Sequence, residues 1–418
     1  MRILILSNFY PPAHAGGYTQ LCQEVSEGLA QRGHTIGVVT SRHDLAKAQG
    51  KEQDIYRLLH LESDLHHYQP LRFLTHWKRH HGENLALLER VVSAFSPELI
   101  FVWGMWGMSK AVPAWAERLM PGRVVYYLAD YWPLVADMHT TYWRSPSRRW
   151  LMRLPKRFLS ALAMSILPNE PQPRPRFEQV ICVSARLREI LVEAGLPLRH
   201  ARVIYNGIDV ARFYSAHQPD HPARRLRLLY AGQLVQHKGV HTGIQAMARL
   251  VDERRINEVH LTVIGSGHRE YERSLRSLVV SERLVDYVTF LEPVARDSMP
   301  DLLRRFDVLI LPSLYEEPLA RITQEAMASG LVVVGTTTGG TKEILSDGET
   351  GLTFAPGDAN GLADQVVRLV SDPELHRRLV QAGRRTVVKR FTLNRMVTEI
   401  DAYLRDCLAD RSGSYDPD

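Results

Sequence analysis

Short apolar runs alternate along this chain with longer segments in which apolar residues recur every three or four positions. An uninterrupted short run is typical of a strand buried on both faces, and the longer period is typical of an amphipathic helix. Segments such as TQLCQEVSEGLAQRG and NGLADQVVRLVSD have the helical period. The predicted strands are Ile3–Leu6, Thr35–Val39, Leu99–Val102, Val124–Leu128, Val180–Val183, Val203–Tyr205, Arg227–Tyr230, His260–Ile264, Tyr287–Phe290, Val308–Leu311, Val332–Val334 and Leu352–Phe354.

Strands that are separated by helices predict parallel sheets with right-handed crossovers. The two successive series therefore predict an α/β protein with two doubly wound, Rossmann-like domains that face each other across a cleft. The polar, proline-bearing stretch SAHQPDHPARR is the predicted boundary. We expect residues 1–215 to form the first domain, 225–395 the second, and 396–418 a C-terminal helix and tail that packs on either one.

Composition restricts the class of protein. At 418 residues, the chain exceeds the size at which a single core keeps growing, which agrees with two domains. The chain has no uncharged apolar run of about 18 residues, so no membrane-spanning helix is expected. The start of the chain, MRILILSNFYPP, predicts a strand and is too short in apolar residues for a signal peptide. The three scattered cysteines have no metal or redox spacing, which favours a reducing cytoplasm.

The formal charge of +6 is unevenly distributed. Between Thr140 and Pro168 there are six basic residues and no acid, and Trp143, Trp150 and Phe158 are interleaved with them. This pattern predicts either a solvated basic helix face or peripheral contact of residues 143–159 with an anionic membrane surface or acceptor. A second basic cluster, HWKRHH, begins at His76. No nucleic-acid motif accompanies the charge, so a nucleic-acid partner is not expected.

Glycines and a lysine follow the first strand of each predicted domain. Gly16 and Gly17 stand where the first strand turns into a helix, and backbone N–H groups at such a turn can approach an anion. In the second domain, Lys238 precedes a helix, where the helix dipole disfavours a cation unless an anion also lies there. Both features favour a phosphate ligand; the simpler alternatives are a packing turn and a solvated lysine.

The segment SLYEEPLARITQEAMASG places carboxylates in apolar surroundings. Because Pro318 suits a first helical position, we expect a helix near Leu319, with Glu317 close to its N-cap. Glu325 then lies at most about 12 Å from Glu317 along the axis. The two acids would hold hydroxyls at both ends of a nucleoside diphosphate sugar, with the diphosphate on the amides between them. The simpler alternative is a charged cap and a surface glutamate.

The order of motifs resembles that of the retaining glycosyltransferases of family 4, which have the GT-B architecture. The motifs are GG at Gly16–Gly17, VIYNGID at Val203–Asp209, GQLVQHKG at Gly232–Gly239, EPLARITQEAMASG at Glu317–Gly330 and GGTKEILSDGETGL at Gly339–Leu352. The resemblance implies transfer of a sugar from a UDP- or GDP-linked donor to a glycan, lipid-linked or small-molecule acceptor, without a cofactor or a catalytic metal. It also implies an acceptor-binding first domain and a donor-binding second domain.

The resemblance also implies roles for single residues. Lys238 would bind the diphosphate, Glu317 would stabilise the transition state and Glu325 would bind the ribose. The remaining donor-binding residues would be Gly16, Gly17, Gln233, Leu319, Ala320, Arg321 and Gly340.

Three positions depart from the family pattern. Gln233 stands where arginine is usual, and Ala320 where glycine is usual. Ala129 replaces a histidine found in many relatives, which leaves Asp130 or His139 as the catalytic candidate of the first domain. A non-catalytic sugar-nucleotide-binding subunit and a GT-B sugar-nucleotide epimerase therefore stay as alternatives. The chain has no strand-linked G-x-G-x-x-G, which disfavours a dehydrogenase.

Overall fold

The structure is a computed structural model that describes residues 1–13, 16–43, 54–62, 70–136, 138–146, 153–166, 174–214, 225–254, 256 and 258–409. By their contacts, the described residues form two compact units. Unit 1 comprises Met1–Val183, Arg188–Ile204 and Val397–Asp418, and unit 2 comprises Ser184–Leu187 and Tyr205–Met396.

Unit 1 contains a seven-stranded parallel sheet with the strand order β3-β2-β1-β4-β5-β6-β7. Its strands are β1 (Arg2–Leu6), β2 (Thr35–Ser41), β3 (Ile55–Leu59), β4 (Leu99–Val102), β5 (Val124–Leu128), β6 (Gln179–Cys182) and β7 (Arg202–Val203). The helices that alternate with them are α1 (Gly17–Gln31), α2 (Pro70–Phe95), α3 (Ala111–Leu119), α4 (Met138–Arg144), α5 (Arg153–Ile166) and α6 (Ala185–Glu193), of which the first three residues group with unit 2. All residues of β4 and β5 are buried, which explains their uninterrupted apolar sequences.

Unit 2 repeats the design with a six-stranded parallel sheet in the order β10-β9-β8-β11-β12-β13. Its strands are β8 (Leu226–Ala231), β9 (Val259–Ile264), β10 (Val288–Leu291), β11 (Val308–Leu311), β12 (Val332–Thr336) and β13 (Leu352–Phe354). Its helices are α7 (Val210–Phe213), α8 (Val240–Ala248), α9 (Arg269–Ser281), α10 (Met299–Leu303), α11 (Arg321–Ser329), α12 (Ala359–Ser371) and α13 (Pro373–Arg390). The last helix of the chain, α14 (Leu393–Ala409), begins in unit 2 and continues in unit 1.

The two doubly wound sheets confirm the predicted fold class, and four predicted strands, β4, β5, β11 and β13, agree to the residue. The prediction missed β3, an edge strand whose residues are mostly half-buried and which includes Arg57. A half-exposed edge strand needs no apolar run, so its sequence lacks the signal that marks the other strands.

The change from unit 1 to unit 2 falls between Ile204 and Tyr205, whereas residues 215–224 of the predicted boundary lie outside the described residues. The C-terminal segment from Val397 groups with unit 1. Asp401 Oδ1 lies within hydrogen-bond distance, 2.9 Å, of Nε2 of His34, which follows α1.

A buried carboxylate joins the amino ends of β8 and β11, the two strands at which the order of the second sheet reverses. Asp307 is fully buried directly before β11. Its carboxylate accepts hydrogen bonds from the Arg227 backbone N–H (2.8 Å) and from two guanidinium nitrogens of the same residue (3.0 and 2.7 Å). A buried charge with this many donors is stabilising only while its partner is present.

We expect Asp307→Ala to lower the free energy of unfolding by about 2–4 kcal/mol, because it removes three hydrogen bonds and leaves the Arg227 backbone N–H unpaired. Urea denaturation followed by far-UV circular dichroism measures this effect. Tryptophan fluorescence is unsuitable here, since all 7 tryptophans precede residue 151. The control is Glu253→Ala, which removes an exposed ion pair with Arg249 and should cost less than about 1 kcal/mol. Equal losses in the two variants would contradict a stabilising role for Asp307.

Candidate functional site

The loops that follow β8 and β11 meet at the carboxyl ends of these strands. In doubly wound sheets, ligands bind outside the carboxyl ends at the point where the strand order reverses. The Leu314 N–H donates to the His237 carbonyl at 2.8 Å, which ties the two loops together. Gly239 has a φ of 68°, and a Cβ at this position would lie 1.9 Å from the Pro312 carbonyl oxygen. Only glycine permits this approach.

The two loops bring together four polar side chains, which we call the Lys238–Glu317 cluster: Lys238, Ser313, Tyr315 and Glu317. Glu317 is 3% exposed, and its Oε1 accepts hydrogen bonds from Lys238 Nζ (2.7 Å) and Ser313 Oγ (2.6 Å). Its Oε2 accepts from the Tyr315 hydroxyl at 2.9 Å. Both carboxylate oxygens are therefore satisfied, as a buried charge requires. The Lys238 side chain is 21% exposed, so this cation is accessible to solvent.

Lys238 lies at the end of a 3₁₀ turn, Gln236–Lys238, with Gly239 as the N-cap of α8. Its position before the helix agrees with the prediction. The sequence predicts an anion beside Lys238 that offsets the helix dipole. In this structure the Glu317 carboxylate takes that position. The binding of a phosphate by Lys238 stays a prediction.

The prediction for the start of the next helix is wrong. Pro318 is not a first helical residue, and Glu317 is not near the N-cap. Helix α11 begins at Arg321, with Ala320 as its N-cap. The helical rise per residue, which was used to estimate the distance from Glu317 to Glu325, therefore applies only from Arg321 onward.

Tertiary hydrogen bonds explain the later start. Three consecutive carbonyl oxygens are taken: that of Glu317 by the Gly340 N–H (2.7 Å), that of Pro318 by the Ser184 hydroxyl (2.6 Å) and that of Leu319 by the Asn206 side-chain amide (3.1 Å). In a trans peptide, the N–H points opposite to the carbonyl. The N–H groups of Leu319 and Ala320 therefore point away from Ser184 and Asn206. Among the described residues, no side chain caps α11.

The sequence predicts that Gly340 brings its backbone to a phosphate. Its N–H instead donates to the Glu317 carbonyl, and a Cβ at this position would lie 2.0 Å from the Pro318 carbonyl oxygen. These contacts give Gly340 a packing role that holds the Glu317 loop in place, and its approach to a phosphate stays a prediction.

Glu325 lies on α11, is 2% exposed and forms ion pairs with two arginines. Arg296, in the 3₁₀ turn Arg296–Ser298 after β10, contacts Glu325 through a guanidinium nitrogen. Arg321 Nε lies 3.9 Å from Glu325 Oε1. The carboxylate is thus paired with two guanidinium groups at a buried position, at the same end of the sheet as the Lys238–Glu317 cluster.

Two further donor-site predictions are located but not tested by this geometry. The Gln233 carbonyl accepts a hydrogen bond of 2.7 Å from the Tyr230 hydroxyl, and the Gln233 residue is exposed. In unit 1, α1 begins at Gly17 with Gly16 as its N-cap, as the turn from strand to helix predicted. The role of these glycines in binding an anion stays a prediction.

Asp130 follows β5 in unit 1 and accepts a hydrogen bond of 2.9 Å from the Trp132 N–H. Burial raises the pKa of this carboxyl to about 6, although the Trp132 N–H lowers it in part. Burial, and then the charge of Asp130, raise the pKa of the Tyr18 hydroxyl, which donates to the Tyr127 carbonyl at 2.5 Å. The side chain of His139 lies outside the described residues.

The sequence alone assigns no role to Ser313, Tyr315 or Arg296. Ser313 and Tyr315 precede Glu317 by four and two positions, and this alternation in an extended loop is a usable signal. Arg296 comes from a distant turn, so no local pattern connects it with Glu325.

Two doubly wound parallel units, one of which places paired charges where its strand order reverses, define a doubly wound α/β protein with a candidate ligand site at the carboxyl ends of its strands. Two family models extend this assignment. Glycosyltransferase Family 4 matches residues 15–212, and Glycosyl transferases group 1 matches residues 215–386. The chain belongs to the glycosyltransferases of this family 4 type.

Similar proteins agree with the family. The chain is 28% identical to glycogen synthase of Mycobacterium tuberculosis over 433 residues, which covers 100% of this chain and 97% of that protein. Its fold matches sucrose-phosphate synthase from Thermosynechococcus elongatus with a TM-score of 0.72 and 22% identity, over 98% of this chain and 100% of the other. It also matches Anabaena HepE in complex with UDP-glucose, with a TM-score of 0.68 and 20% identity, over 97% and 100% of the two chains. The fold is therefore GT-B.

The raised pKa of Asp130 predicts a pH-dependent stability. The folded state keeps the proton at a pH where the unfolded chain has lost it, so the free energy of unfolding should fall as pH rises from about 4 to about 6 and then level off. Asp130→Asn should remove this slope and stabilise the protein by about 1–3 kcal/mol at pH 7.5. Urea denaturation followed by tryptophan fluorescence reports on unit 1. A slope that persists in the variant would contradict the prediction, and Glu89→Gln, on an exposed carboxylate of α2 in unit 1, serves as control.

Proposed function

We propose that this glycosyltransferase is a retaining, metal-independent enzyme that transfers a hexose from a UDP- or GDP-linked donor to a glycan, lipid-linked or small-molecule acceptor. The synthesis of cell-envelope polysaccharides or glycoconjugates is the proposed setting. The observation that carries the proposal is the Lys238–Glu317 cluster at the carboxyl ends of β8 and β11. HepE, whose fold this chain shares, was solved with UDP-glucose.

The cluster provides two functions that sugar transfer needs. Lys238 is the partly exposed cation, and it would stabilise the charge that develops on the departing diphosphate. Glu317 is held by Ser313 and Tyr315 in one orientation, so it would accept hydrogen bonds from donor-sugar hydroxyls and stabilise positive charge on the sugar. The N–H groups of Leu319 and Ala320, which point away from Ser184 and Asn206, would complete the contacts with the diphosphate.

Glu325 would bind the ribose hydroxyls. Arg296 and Arg321 pair with its carboxylate, and a carboxylate is a strong hydrogen-bond acceptor. In this proposal Arg321 also provides the positive charge that Gln233 lacks. Unit 1 would bind the acceptor, with Asp130 as a catalytic candidate.

Peripheral membrane contact is part of the proposal. Within the described part of the chain, none of the helices has the length and hydrophobicity that a bilayer-spanning segment requires. Helix α5, however, exposes large apolar side chains: Leu154 (69%), Phe158 (78%), Leu159 (50%) and Leu162 (59%). Arg153, Lys156 and Arg157 lie on the same helix, which carries no acid. An exposed apolar face with basic residues is suited to an anionic lipid surface, here the inner face of the cytoplasmic membrane.

Calorimetric titration with UDP and GDP tests the donor site. We expect micromolar binding of one nucleotide and at least about tenfold weaker binding by Glu325→Gln, which is about 1.4 kcal/mol. Glu374→Gln, on the exposed start of α13, is the matched control and should bind normally. Failure of the wild-type protein to bind either nucleotide would overturn the donor-site proposal.

Activity separates the proposed enzyme from its alternatives. With the matching nucleotide sugar, transfer should persist in the presence of a chelator, and NMR should show that the anomeric configuration of the donor is kept. Glu317→Gln should reduce turnover far more than it weakens nucleotide binding, because Glu317 is assigned to the sugar. Nucleotide binding without transfer or donor hydrolysis would favour the non-catalytic subunit, and epimerised nucleotide sugar would favour the epimerase.

Vesicle sedimentation tests the membrane contact. The protein should bind phosphatidylglycerol vesicles more strongly than phosphatidylcholine vesicles. The Leu154→Ser/Phe158→Ser double variant should bind at least about tenfold more weakly, since each large apolar side chain contributes about 2 kcal/mol when buried. The control Val280→Ser changes an exposed apolar residue of α9 and should have no effect. Unchanged binding of the double variant would exclude α5 as the contact.

A further inference from the structure

A depression of about 510 Å³ lies at the edge of the unit 1 sheet. Arg42 directly follows β2 and His60 directly follows β3, so the depression is at the carboxyl ends of these parallel strands. Carboxyl ends of parallel strands are where doubly wound folds bind ligands. Gly16, Gly17 and Asp130 also follow strands of this sheet at their carboxyl ends.

Helix α2 provides the opposite wall of the depression. Arg79, Glu83 and Arg90 are separated by four and seven positions, which places them on one face of the helix. His80 lies beside them, and its ring stacks on that of His60 with a centroid separation of 4.1 Å and an interplanar angle of 4°.

Contacts within the protein hold part of the polar lining, His60, Arg79 and Glu83, in place before any ligand binds. His60 Nε2 lies 2.9 Å from Glu83 Oε2, and Arg79 Nε donates to Glu83 Oε1 at 2.7 Å. The buried Asn84 accepts from the His60 N–H (2.7 Å) and donates to the His60 carbonyl (2.9 Å). A preorganised set of donors binds with a smaller ordering cost.

The charge of the depression is unbalanced among its described lining residues. Three guanidinium groups and two imidazoles surround one carboxylate, that of Glu83. The pKa of His60 is lowered by burial and then by the charge of Arg42, and the pKa of His80 by burial and then by His60. Glu83 raises both pKa values, whereas Arg79 lowers both and His76 lowers that of His80. The neighbouring positive charges disfavour the protonated forms of His60 and His80, and a bound anion would favour them.

We propose that this depression is an anion site that binds a phosphate group of the acceptor, through Arg42, Arg79, Arg90, His60 and His80. This inference rests on the proposed function and narrows its acceptor to a phosphorylated compound. A phosphate monoester carries close to two negative charges at neutral pH and offers three oxygens to such donors. The volume accommodates a phosphate together with part of the group that bears it. A phosphate on a free metabolite and one on a lipid headgroup share this chemistry.

The experiment titrates the full chain with glycerol 3-phosphate and follows the ring signals of the histidines by NMR. Saturable shifts of the His60 and His80 signals are expected. Arg42→Gln and Arg90→Gln should each weaken binding at least tenfold, whereas Arg118→Gln, on α3, should not. Glu83→Gln should tighten binding severalfold, because it removes the only carboxylate among the described lining residues. A purely structural role for Glu83 would not produce a tighter site.

Sulfate serves as the probe for pH dependence because it stays a dianion throughout the range. Its affinity should rise between pH 7.5 and 5.5, as His60 and His80 take up protons, and the rise should be smaller in His80→Gln. Phosphatidic acid vesicles form a separate arm: binding to vesicles that Arg90→Gln weakens and Leu154→Ser/Phe158→Ser does not would identify a lipid-linked phosphate as the source.

Histidine signals that do not move, or affinities that Arg42→Gln and Arg90→Gln leave unchanged, would overturn the anion site. Phosphate that binds only near Lys238 would not shift the His60 and His80 signals and would also overturn the anion site. Titration of the same variants with UDP and GDP separates the two proposals. Normal nucleotide binding with no response at His60 and His80 refutes the anion site alone, whereas the reverse result refutes the donor site alone.

Discussion

The unit 2 site depends on one constraint, the burial of the Glu317 carboxylate. A charge removed from water is destabilising by several kcal/mol unless donors surround it. Here Lys238, Ser313 and Tyr315 provide those donors, and they can do so only because the loops after β8 and β11 touch. That contact in turn requires glycine at 239, since any side chain would collide with the Pro312 carbonyl. One buried acid thus accounts for Lys238 and Gly239 in the first loop and for Ser313 and Tyr315 in the second.

Buried carboxylates that are paired with cations lie at both ends of β8 and β11, but only those at the carboxyl ends lie where a ligand is expected. At the amino ends, Asp307 is enclosed by three donors of Arg227, and its fully buried carboxylate offers nothing to a ligand. At the carboxyl ends, Glu317 and Glu325 are paired with cations, Lys238 and Arg296, whose side chains are each partly exposed. The exposure of the cation does not distinguish the two ends, since the Arg227 side chain is 45% exposed. The distinction is position, because doubly wound sheets bind ligands outside the carboxyl ends of their strands.

The net positive charge of the chain has a spatial pattern that composition alone does not show. In unit 1, basic groups gather at the carboxyl ends of β2 and β3 and along α5, where apolar side chains accompany them. In unit 2, the buried acids Asp307, Glu317 and Glu325 are each paired with a cation. The proposed donor site would use such paired carboxylates to receive hydroxyl groups, whereas the depression in unit 1 has more cations than carboxylates among its described lining residues. A donor with a diphosphate between two sugars and an acceptor with its own negative charge are the ligands that this division favours.

The sequence by itself determined the α/β class, most strands and the family, because strands buried on both faces require uninterrupted apolar runs and because the motifs are contiguous. Only the tertiary structure decided where α11 begins. Gly340, Ser184 and Asn206 donate hydrogen bonds to three consecutive carbonyls before the helix, although Pro318 would suit a first helical position. It also decided that Arg296 pairs with Glu325 and that Arg42 meets His60 and Arg90. Such pairings join segments far apart in the chain, and local sequence carries no record of which distant side chain will neutralise a buried charge.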